Sequence, residues 1–441
     1  MATGETKSKW SGELSESHSG KPNIVRLTYG GKAEESAILT LAPATITGVW
    51  NSDQNKMDNR LYYGDNAGIL ATLLYDRTVN GNVDLVYIDP PFATNSVFKS
   101  RSRNDAYEDL KTGALYVEFL RTRLILLREL LSDQGSIYVH LDSNMVFQIK
   151  LVMDEVFGPT NFRAFITRRK SNPKNYTRNT YGNISDYILF YTKSNNYIWN
   201  RAYREWTSKR AEDEYPYVEV ETGRRFKKVP IHAPGERNGD TGKPWKGMNP
   251  PKGKHWQYRR ETLDEMDARG EIYWSPTGNP RRKVYFDQSK GIPVQDIWLD
   301  VKDAHNQNIK ITGYPTEKPV ELLQRIIRAS SHTDSLVLDC FSGSGTTLDV
   351  ASQIGRRWIG IDKSTEAIET TLDRFRSGLK PMGDFVKTKN SGMQQPLPLG
   401  YKDSGDTPLK FIHQFSLYAT SPYKGDLDEI VLGWTRFAPD H

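Results

Sequence analysis

The order of two strand-ending motifs constrains this chain more than any other feature of its sequence. Asp89-Pro90-Pro91-Phe92 follows the apolar run Val83-Asp-Leu-Val-Tyr-Ile88, and the turn Phe341-Ser-Gly343-Ser-Gly345 follows Ser335-Leu-Val-Leu-Asp339. Each pattern predicts a buried strand that ends at the carboxyl edge of an α/β sheet, where such sheets bind ligands. A linear nucleotide-binding sheet has its glycine turn first. The reversed order therefore predicts a circularly permuted, doubly wound α/β sheet.

Regular α/β patterning flanks a central stretch in which periodicity fades. A helix is predicted near 115–131, where leucines recur at helical spacing. Strands are predicted at Arg60–Tyr63, Val83–Ile88, Ser136–Leu141, Phe162–Thr167, Asp186–Tyr191, Leu336–Leu338 and Trp358–Asp362. The predicted organisation is a flexible or peripheral segment over 1–55, two halves of one domain over 56–192 and 311–380, an inserted module over 193–310, and a C-terminal extension over 381–441.

Positive charge is concentrated in the centre of the chain. Residues 161–290 contain 27 Lys and Arg against 15 Asp and Glu, a net charge of +12, whereas the whole chain carries +6 and the remainder therefore −6. Such segregation favours a polyanion partner. The apolar runs are too short to span a bilayer, the first 20 residues lack an apolar signal core, and the single cysteine excludes an internal disulfide framework. These features predict a cytoplasmic protein.

The glycine turn is suited to a nucleoside cofactor. Gly343 and Gly345 let the backbone turn sharply and approach a ligand closely. Asp362 ends the next predicted strand, where a carboxylate can accept hydrogen bonds from ribose hydroxyls. Because no Gly-Lys-Ser/Thr follows the turn, a phosphate-cradling loop is unsupported. S-adenosylmethionine, a nucleoside without phosphates, fits better.

The Asp-Pro-Pro-Phe motif is suited to an exocyclic amine. Adenine N6 is a poor nucleophile because its lone pair is delocalised into the ring, so it needs acceptors that hold its two hydrogens. Asp89 and the carbonyl of Pro90 can supply them, while the prolines stiffen the turn and remove competing N–H donors. Phe92 can stack on a base swung out of a duplex. Catalysis would then consist mainly of alignment and charge stabilisation.

Together these motifs resemble the permuted β-group of DNA amino-methyltransferases, which includes the modification subunits of type III restriction systems, over roughly residues 58–376. The resemblance implies a Rossmann-like methyltransferase sheet dependent on S-adenosylmethionine, with an inserted target-recognition domain. It assigns catalysis to Asp89, Pro90, Pro91 and Phe92. It assigns cofactor binding to Asp65, Asp89, Thr316, Lys318, Asp339, Phe341, Gly343, Gly345, Thr346 and Asp362.

The sequence departs from the family pattern at two positions. Phe92 replaces the commoner tyrosine, and Cys340 stands where proline is usual. Because the sole cysteine lies inside the cofactor loop, it argues against cytosine-C5 methylation, which needs a nucleophilic cysteine elsewhere. His140 and Asp142 alternate along a predicted strand and are interpreted as a hydrogen-bonded wall of the site, with no metal expected.

The predicted function is site-specific methylation of adenine N6 in duplex DNA with base flipping. Cytosine-N4 methylation poses the same chemical problem, although that branch more often carries serine in place of Asp89. A catalytically silent DNA-binding subunit is the alternative from another class, and the intact motifs argue against it. RNA is the less favoured substrate. A prokaryotic or phage origin follows from the resemblance, which leaves open a homodimer and a separate restriction or defence-system subunit as partners; no membrane partner is expected.

The central module supplies the expected DNA contacts. Its candidate cations can bind either phosphates or base edges, and the sequence does not sort them. They are Arg201, Arg204, Lys227, Lys228, Lys254, Arg259, Arg260, Arg281 and Arg282.

Overall fold

A computed structural model describes residues 25–51, 58–91, 113–173, 179–303, 310–311, 314, 317–377, 380–381 and 414–435. The described residues form two compact units. The smaller unit comprises Arg201–Gln295, and the larger comprises the described residues before and after it. The smaller unit is narrower than the predicted module of 193–310, because the chain from Asp296 onward belongs to the larger unit.

The elements are numbered in chain order. The helices are α1 Glu35–Leu39, α2 Asn66–Leu73, α3 Ala114–Leu130, α4 Val146–Phe157, α5 Ser208–Glu214, α6 Arg260–Ala268, α7 Val320–Ala329, α8 Thr346–Gln353, α9 Thr365–Ser377 and α10 Lys424–Thr435. The strands up to the small unit are β1 Ile46–Asn51, β2 Arg60–Tyr63, β3 Val83–Ile88, β4 Leu131–Leu141, β5 Phe162–Arg169 and β6 Ser185–Thr192. The small unit adds β7 Tyr203–Arg204, β8 Tyr217–Val218, β9 Arg225–Pro230, β10 His232–Pro234, β11 Lys254–Trp256, β12 Ile272–Trp274, β13 Pro280–Tyr285 and β14 Ile292–Pro293. The later strands are β15 Ile297–Trp298, β16 Lys310–Ile311, β17 Leu336–Asp339, β18 Arg357–Asp362, β19 Lys380–Pro381 and β20 Ser416–Thr420.

The larger unit is built on a ten-stranded sheet whose order confirms the permuted topology. The order is β1-β20-β2-β18-β17-β3-β4-β6-β5-β15, and the six strands from β20 to β4 run parallel. β17 and β3 are neighbours although some 250 residues separate them in the chain, with Leu338 opposite Val86. From β17 the chain continues to β18 on one side, and from β3 to β4 on the other. The strand order thus reverses between the two motif-bearing strands, which is where α/β sheets bind ligands.

Alternating side chains place a helical layer on each face of this sheet. Ile359 and Ile361 of β18 join the core that includes α2, α3 and α4. Trp358 lies on the opposite face, where its indole N–H donates to Ser352 of α8 at 2.6 Å. Gly360 shares that face, and a Cβ atom there would lie 2.4 Å from Leu348 of α8, so only glycine permits this helix to approach.

Two features of the larger unit differ from the sequence-based expectations. The predicted helix over 115–131 ends at Leu130, because Leu131 already begins the long strand β4. Sheet strands also occur where none was predicted, because β1 and β20, in described residues of the N-terminal segment and the C-terminal extension, pair with each other, and β20 continues the parallel sheet beside β2. Within the described ranges, no helix is both long and apolar enough to cross a membrane.

The smaller unit has its own sheet and its own core. Its four-stranded antiparallel sheet has the order β12-β13-β9-β8. The core is a cluster of Ile231, Trp245, Trp256, Leu263, Met266 and Ile272. Trp245 lies 5.4 Å from Trp274 in a stacked arrangement, and its indole N–H donates to Asp264 of α6. The tryptophans therefore stabilise a small hydrophobic core.

Candidate active site

The two motifs meet at the carboxyl edge of the sheet. Asp89 follows β3 directly and the glycine loop, residues 340–345, follows the neighbouring parallel strand β17. The Asp89 carboxylate forms an ion pair with the Nζ atom of Lys318, and both side chains are largely buried. The other carboxylate oxygen, Oδ1, is buried and has no hydrogen-bond partner among the described residues. A buried acceptor without a donor among the described residues, next to the glycine loop, fits a group that offers an N–H donor.

The glycine loop has a backbone that other residues would strain. Gly343 and Gly345 have φ of +48° and +73°, and Gly345 caps the N-terminus of α8. A Cβ atom at Gly345 would lie 2.8 Å from Thr371. The loop therefore needs glycine both for its conformation and for its packing.

Two carboxylates hold the loop in place through backbone N–H groups. Asp339 accepts from the Phe341 N–H at 3.0 Å and from the Thr347 hydroxyl at 2.6 Å, and burial raises its pKa to about 7. Asp362 accepts from the Gly343 N–H at 2.8 Å and from the Ser364 N–H at 2.9 Å. Burial raises the pKa of Asp362 against these hydrogen bonds, which lower it. The predicted ribose contact of Asp362 therefore has to use acceptor capacity left over from this structural role.

Arg374 of α9 is a buried clamp on the same loop. Its Nε donates to the Ser344 carbonyl at 2.7 Å and its Nη2 to the Thr346 hydroxyl at 3.0 Å. It also forms a buried ion pair with Glu317. Since Glu317 lies one residue before Lys318, Arg374 connects the glycine loop to the segment that reaches Asp89. Sequence reasoning missed this residue, because an arginine on an amphipathic helix resembles any solvated cation.

A small cleft lies between the start of α2 and the end of β18. It is lined by Gly64, Asn66, Cys340, Phe341, Asp362 and Lys363. Asn66 donates to the Cys340 carbonyl at 2.7 Å and accepts from Arg123 at 2.7 Å, and the guanidinium of Arg123 stacks 3.6 Å from the Phe119 ring centroid. The cleft thus has a fixed polar wall that the sequence patterns did not reveal.

Asp65 stands at the rim of this cleft with half of its side chain exposed. Its Oδ1 accepts from the Ala67 N–H at 2.9 Å and so caps α2, while its Oδ2 lies 3.4 Å from Arg123. On the opposite rim, burial lowers the pKa of the Lys363 ammonium. The predicted contact of Asp65 with an adenine ring remains a prediction, and the position of the residue is compatible with it.

His140 belongs to a buried polar chain beneath the Asp89 turn. Its Nδ1 lies 2.9 Å from the Tyr87 hydroxyl, and its Nε2 lies 2.9 Å from the carboxylate of Asp186. Asp186 also contacts Arg168 at 3.2 Å, and although burial raises its pKa, His140 and Arg168 lower it to about 2. The four side chains bind β3, β4, β6 and β5 together under the site, which accords with the interpretation of His140 as a wall residue.

Among the described residues, no group of histidine, cysteine, aspartate and glutamate side chains could hold a metal ion. Asp142 instead accepts from the backbone and side-chain amides of Asn144 at 3.0 and 2.6 Å. The predicted residues Phe92 and Thr316 lie outside the described residues. Thr346, the remaining predicted cofactor residue, begins α8 and is buried.

The predicted DNA-binding cations of the smaller unit differ in their surroundings. Lys227 donates to Glu214 at 2.6 Å, Arg282 donates to the Tyr258 hydroxyl at 2.8 Å, and Arg260 lies 4.0 Å from Asp240. Arg259 precedes α6 as its N-cap residue, and Arg204 lies in β7. Arg201, Lys254 and Arg281 are exposed. Lys228 contacts two tyrosine rings.

Comparison with known proteins converges on one family. The family model described as DNA methylase, N6_N4_Mtase, matches residues 83–373. The chain is 46% identical over 389 residues to the Type II methyltransferase M.EcaI of Enterobacter cloacae, covering 86% of this chain and 84% of that protein. It is 28% identical over 342 residues to the StyLTI Mod subunit of a type III restriction-modification enzyme of Salmonella typhimurium, covering 67% of this chain and 50% of that protein. A crystal structure of an M1.HpyAVI–SAM complex aligns with a TM-score of 0.37 and 18% identity, covering 71% of this chain and 98% of that one.

Proposed function

Because this chain belongs to the N6/N4 family of DNA methylases, we propose that it transfers a methyl group from S-adenosylmethionine to the N6 amine of adenine in duplex DNA. The observation that carries the proposal is the Oδ1 atom of Asp89, which has no hydrogen-bond partner in the described part of the chain and is buried at the point where the strand order reverses. A carboxylate oxygen that lacks a donor there suits a substrate that brings one.

The residues present fit S-adenosylmethionine as the methyl donor. The backbone of the loop from Phe341 to Gly345 would border the cofactor, with Asp362 near the ribose and Asp65 near the adenine. Lys318 would lie toward the methionine portion, between the loop and Asp89. When bound, the cofactor supplies an electrophilic methyl group on a positively charged sulfur. No P-loop motif is present in the sequence, so a cofactor without phosphates is favoured.

Asp89 is assigned the role of orienting the target amine. Its carboxylate and the Pro90 carbonyl accept the two N–H groups and so direct the nitrogen lone pair toward the methyl group. As the amine gains positive charge, the carboxylate stabilises it, and the charge is lost when the amine releases a proton. The ion pair with Lys318 holds the carboxylate at the edge of the sheet before the amine arrives.

The target base must leave the duplex to reach Asp89. A base stacked inside a helix cannot bring its amine to the end of a β-strand, so the substrate nucleotide is flipped out. Phe92 is assigned the role of stacking on that base, as its position after the two prolines predicts. The larger unit would perform the chemistry and the smaller unit would contribute contacts to the DNA.

Two other functions compete with adenine-N6 methylation. Cytosine-N4 methylation uses the same acceptors, and the family name covers both amines; aspartate at position 89 favours adenine through the resemblance. A catalytically silent DNA-binding subunit has no need of a loop held by Asp339, Asp362 and Arg374 beside an orphaned carboxylate oxygen. The bacterial relatives support a cytoplasmic location and a restriction-modification setting, in which the proposed partner is a second copy of the chain or a separate restriction subunit.

Nucleoside mass analysis separates these alternatives. Plasmid DNA is incubated with the enzyme and a methyl-labelled cofactor, then digested to nucleosides. We expect label in N6-methyladenosine of duplex DNA. Label in N4-methylcytosine would replace the substrate assignment, and absence of label on any duplex offered, with cofactor bound, would favour the silent subunit.

A further inference from the structure

The four-stranded sheet of the smaller unit has two chemically different faces. In the pairing of β9 with β13, Lys228 lies opposite Lys283 and Val229 lies opposite Arg282. Because side chains alternate along a strand, Lys228, Lys283 and Arg281 point to one face, and Lys227, Val229 and Arg282 to the other. The second face carries Ile272, which packs in the tryptophan-rich core. At one end of the first face the paired residues Phe226 and Tyr285 are buried, whereas Pro230 and Arg281 at its other end are exposed. This exposed end is called the open face below.

The open face presents a lysine between two tyrosine rings. The Nζ atom of Lys228 lies 3.6 Å from the ring centroid of Tyr217 and 3.5 Å from that of Tyr273. These contacts hold the ammonium in place, and since the rings are neutral and no carboxylate among the described residues pairs with it, its charge is not neutralised there. The neighbouring Lys283 is different, since it pairs with Glu219 at 2.6 Å.

Two further cations of the smaller unit, Arg281 and Lys254, have no ion-pair partner among the described residues. Arg281 is directly opposite Pro230 and is exposed, and Lys254 of the adjoining strand β11 is also exposed. Burial lowers the pKa of His232, and so do the charges of Lys254 and Arg281. Both cations therefore lie close enough to His232 to act on it, and together they make the electrostatic potential there more positive.

The cations on the second face have acceptor partners within the protein. Lys227 donates to the carboxylate of Glu214, and Arg282 donates to the hydroxyl of Tyr258. The structure thus separates the candidate cations of one sheet into two pairs. Lys228 and Arg281 on the open face are called the outward pair, and Lys227 and Arg282 on the second face are called the inward pair. The two pairs alternate along the same two strands, which makes them matched sets for comparison.

We propose that the open face, defined by Tyr217, Lys228, Tyr273 and Arg281 together with Lys254, binds the phosphodiester backbone of duplex DNA. This inference rests on the proposed function, in which duplex DNA is the substrate. A lysine held by tyrosine rings has lost part of its rotamer freedom before it meets a phosphate, so binding costs less ordering entropy. Contacts to phosphates position the duplex without reading its sequence.

The test compares two double substitutions in the full chain. Lys228→Gln with Arg281→Gln removes two outward charges, and Lys227→Gln with Arg282→Gln removes two inward charges. Affinity for a fixed duplex is measured between low and moderate salt. We expect the outward variant to bind about ten-fold more weakly at 0.1 M salt, with a slope of log K against log salt smaller by about two. The charge-conserving variant Lys228→Arg with Arg281→Lys should keep the wild-type slope.

The outcomes separate this inference from the function on which it rests. Cofactor affinity and thermal unfolding of each variant report whether it is folded. An unchanged slope of log K against log salt in the folded outward variant overturns the proposal. The proposal is also wrong if this slope changes only in the inward variant, or only in Arg259→Gln with Arg260→Gln. If wild-type enzyme methylates the duplex in either case, the proposed function stands while the face assignment is wrong. If wild-type enzyme methylates no duplex, the proposed function itself is wrong.

Discussion

The carboxylates on the two sides of the strand reversal have opposite surroundings. On the glycine-loop side, both oxygens of Asp339 and of Asp362 accept hydrogen bonds from the protein itself. On the other side, Asp89 has one lysine partner and one buried oxygen without a partner among the described residues. The difference separates carboxylates that build a binding surface from the carboxylate proposed to act on a substrate. Substitution of Asp89 should therefore affect methyl transfer, whereas substitutions on the glycine-loop side should affect stability and cofactor binding.

Asp89→Ala should have the largest effect on catalysis. Removing the acceptor for the target amine should lower methyl transfer by at least about a thousand-fold, because alignment and charge stabilisation are lost together. Cofactor affinity should stay near the wild-type value. Single-turnover methylation and equilibrium cofactor binding measure the two quantities. Asp84→Ala, which removes a carboxylate from the same strand, is the control and should keep its activity; near-wild-type turnover in Asp89→Ala would refute the catalytic assignment.

Arg374→Ala should have the largest effect on stability. It removes a buried guanidinium that pairs with the Glu317 carboxylate and donates to Ser344 and Thr346, so we expect a loss of about 3–5 kcal/mol in the free energy of unfolding. Denaturant unfolding measures this loss. Arg376→Ala on the same helix removes an exposed pair with Asp373 and should change stability by less than about 1 kcal/mol. Equal losses in the free energy of unfolding for the two substitutions would show that the contacts of Arg374 do not stabilise the glycine loop.

Asp362→Ala should weaken cofactor binding by roughly ten-fold or more. The substitution frees the Gly343 N–H, which loosens the loop, and it removes the acceptor predicted for the ribose. Isothermal titration gives the dissociation constant. Asp373→Ala, an exposed carboxylate of α9, should leave that constant unchanged. A wild-type dissociation constant for the cofactor in Asp362→Ala would show that Asp362 neither holds the loop for cofactor binding nor contacts the ribose.

Asp339→Asn should make a smaller, pH-dependent change. Because the pKa of Asp339 is raised by burial to about 7, the folded protein holds a proton that the unfolded chain releases near pH 4. This group therefore contributes stability that is complete below about pH 4 and is lost as the pH rises to about 7. An asparagine side chain can still accept the hydrogen bond from the Phe341 N–H. Because it does not ionise, it avoids the loss of stability as the pH rises. The melting temperature of Asp339→Asn relative to wild type should rise by a few degrees between pH 4 and pH 8; a constant difference would contradict the assignment.

The sheet centre was predictable from sequence because its signals are local. The apolar run of β3 and the short run of β17 each end in a motif, and the order of the two motifs predicted the permuted sheet. The strands β5 and β6 were predicted for the same reason, since each has a clear apolar pattern. The catalytic and cofactor roles of the motif residues remain predictions that the geometry supports.

The sheet edge and the supports of the site were not predictable, because they depend on contacts distant in sequence. β1 and β20 pair across some 370 residues, and neither strand has a motif that identifies its partner. Arg374, Asn66 and Arg123 gain their importance only from the loop that folding brings to them. Likewise, nothing in the sequence separates Lys228 from Lys227, although one residue's difference in position sends them to opposite faces of a sheet.

The single thiol of the chain gives the glycine loop an internal reporter. Cys340 is buried, its carbonyl is held by Asn66, and burial raises the pKa of its thiol well above the usual range. A thiol reagent can therefore react only after the segment swings away from the sheet, and the labelling rate then measures the population of that opened form. A ligand that bridges the loop and the cleft should slow the labelling in proportion to its occupancy. The native chain thus permits a footprinting assay of cofactor binding without any engineered cysteine.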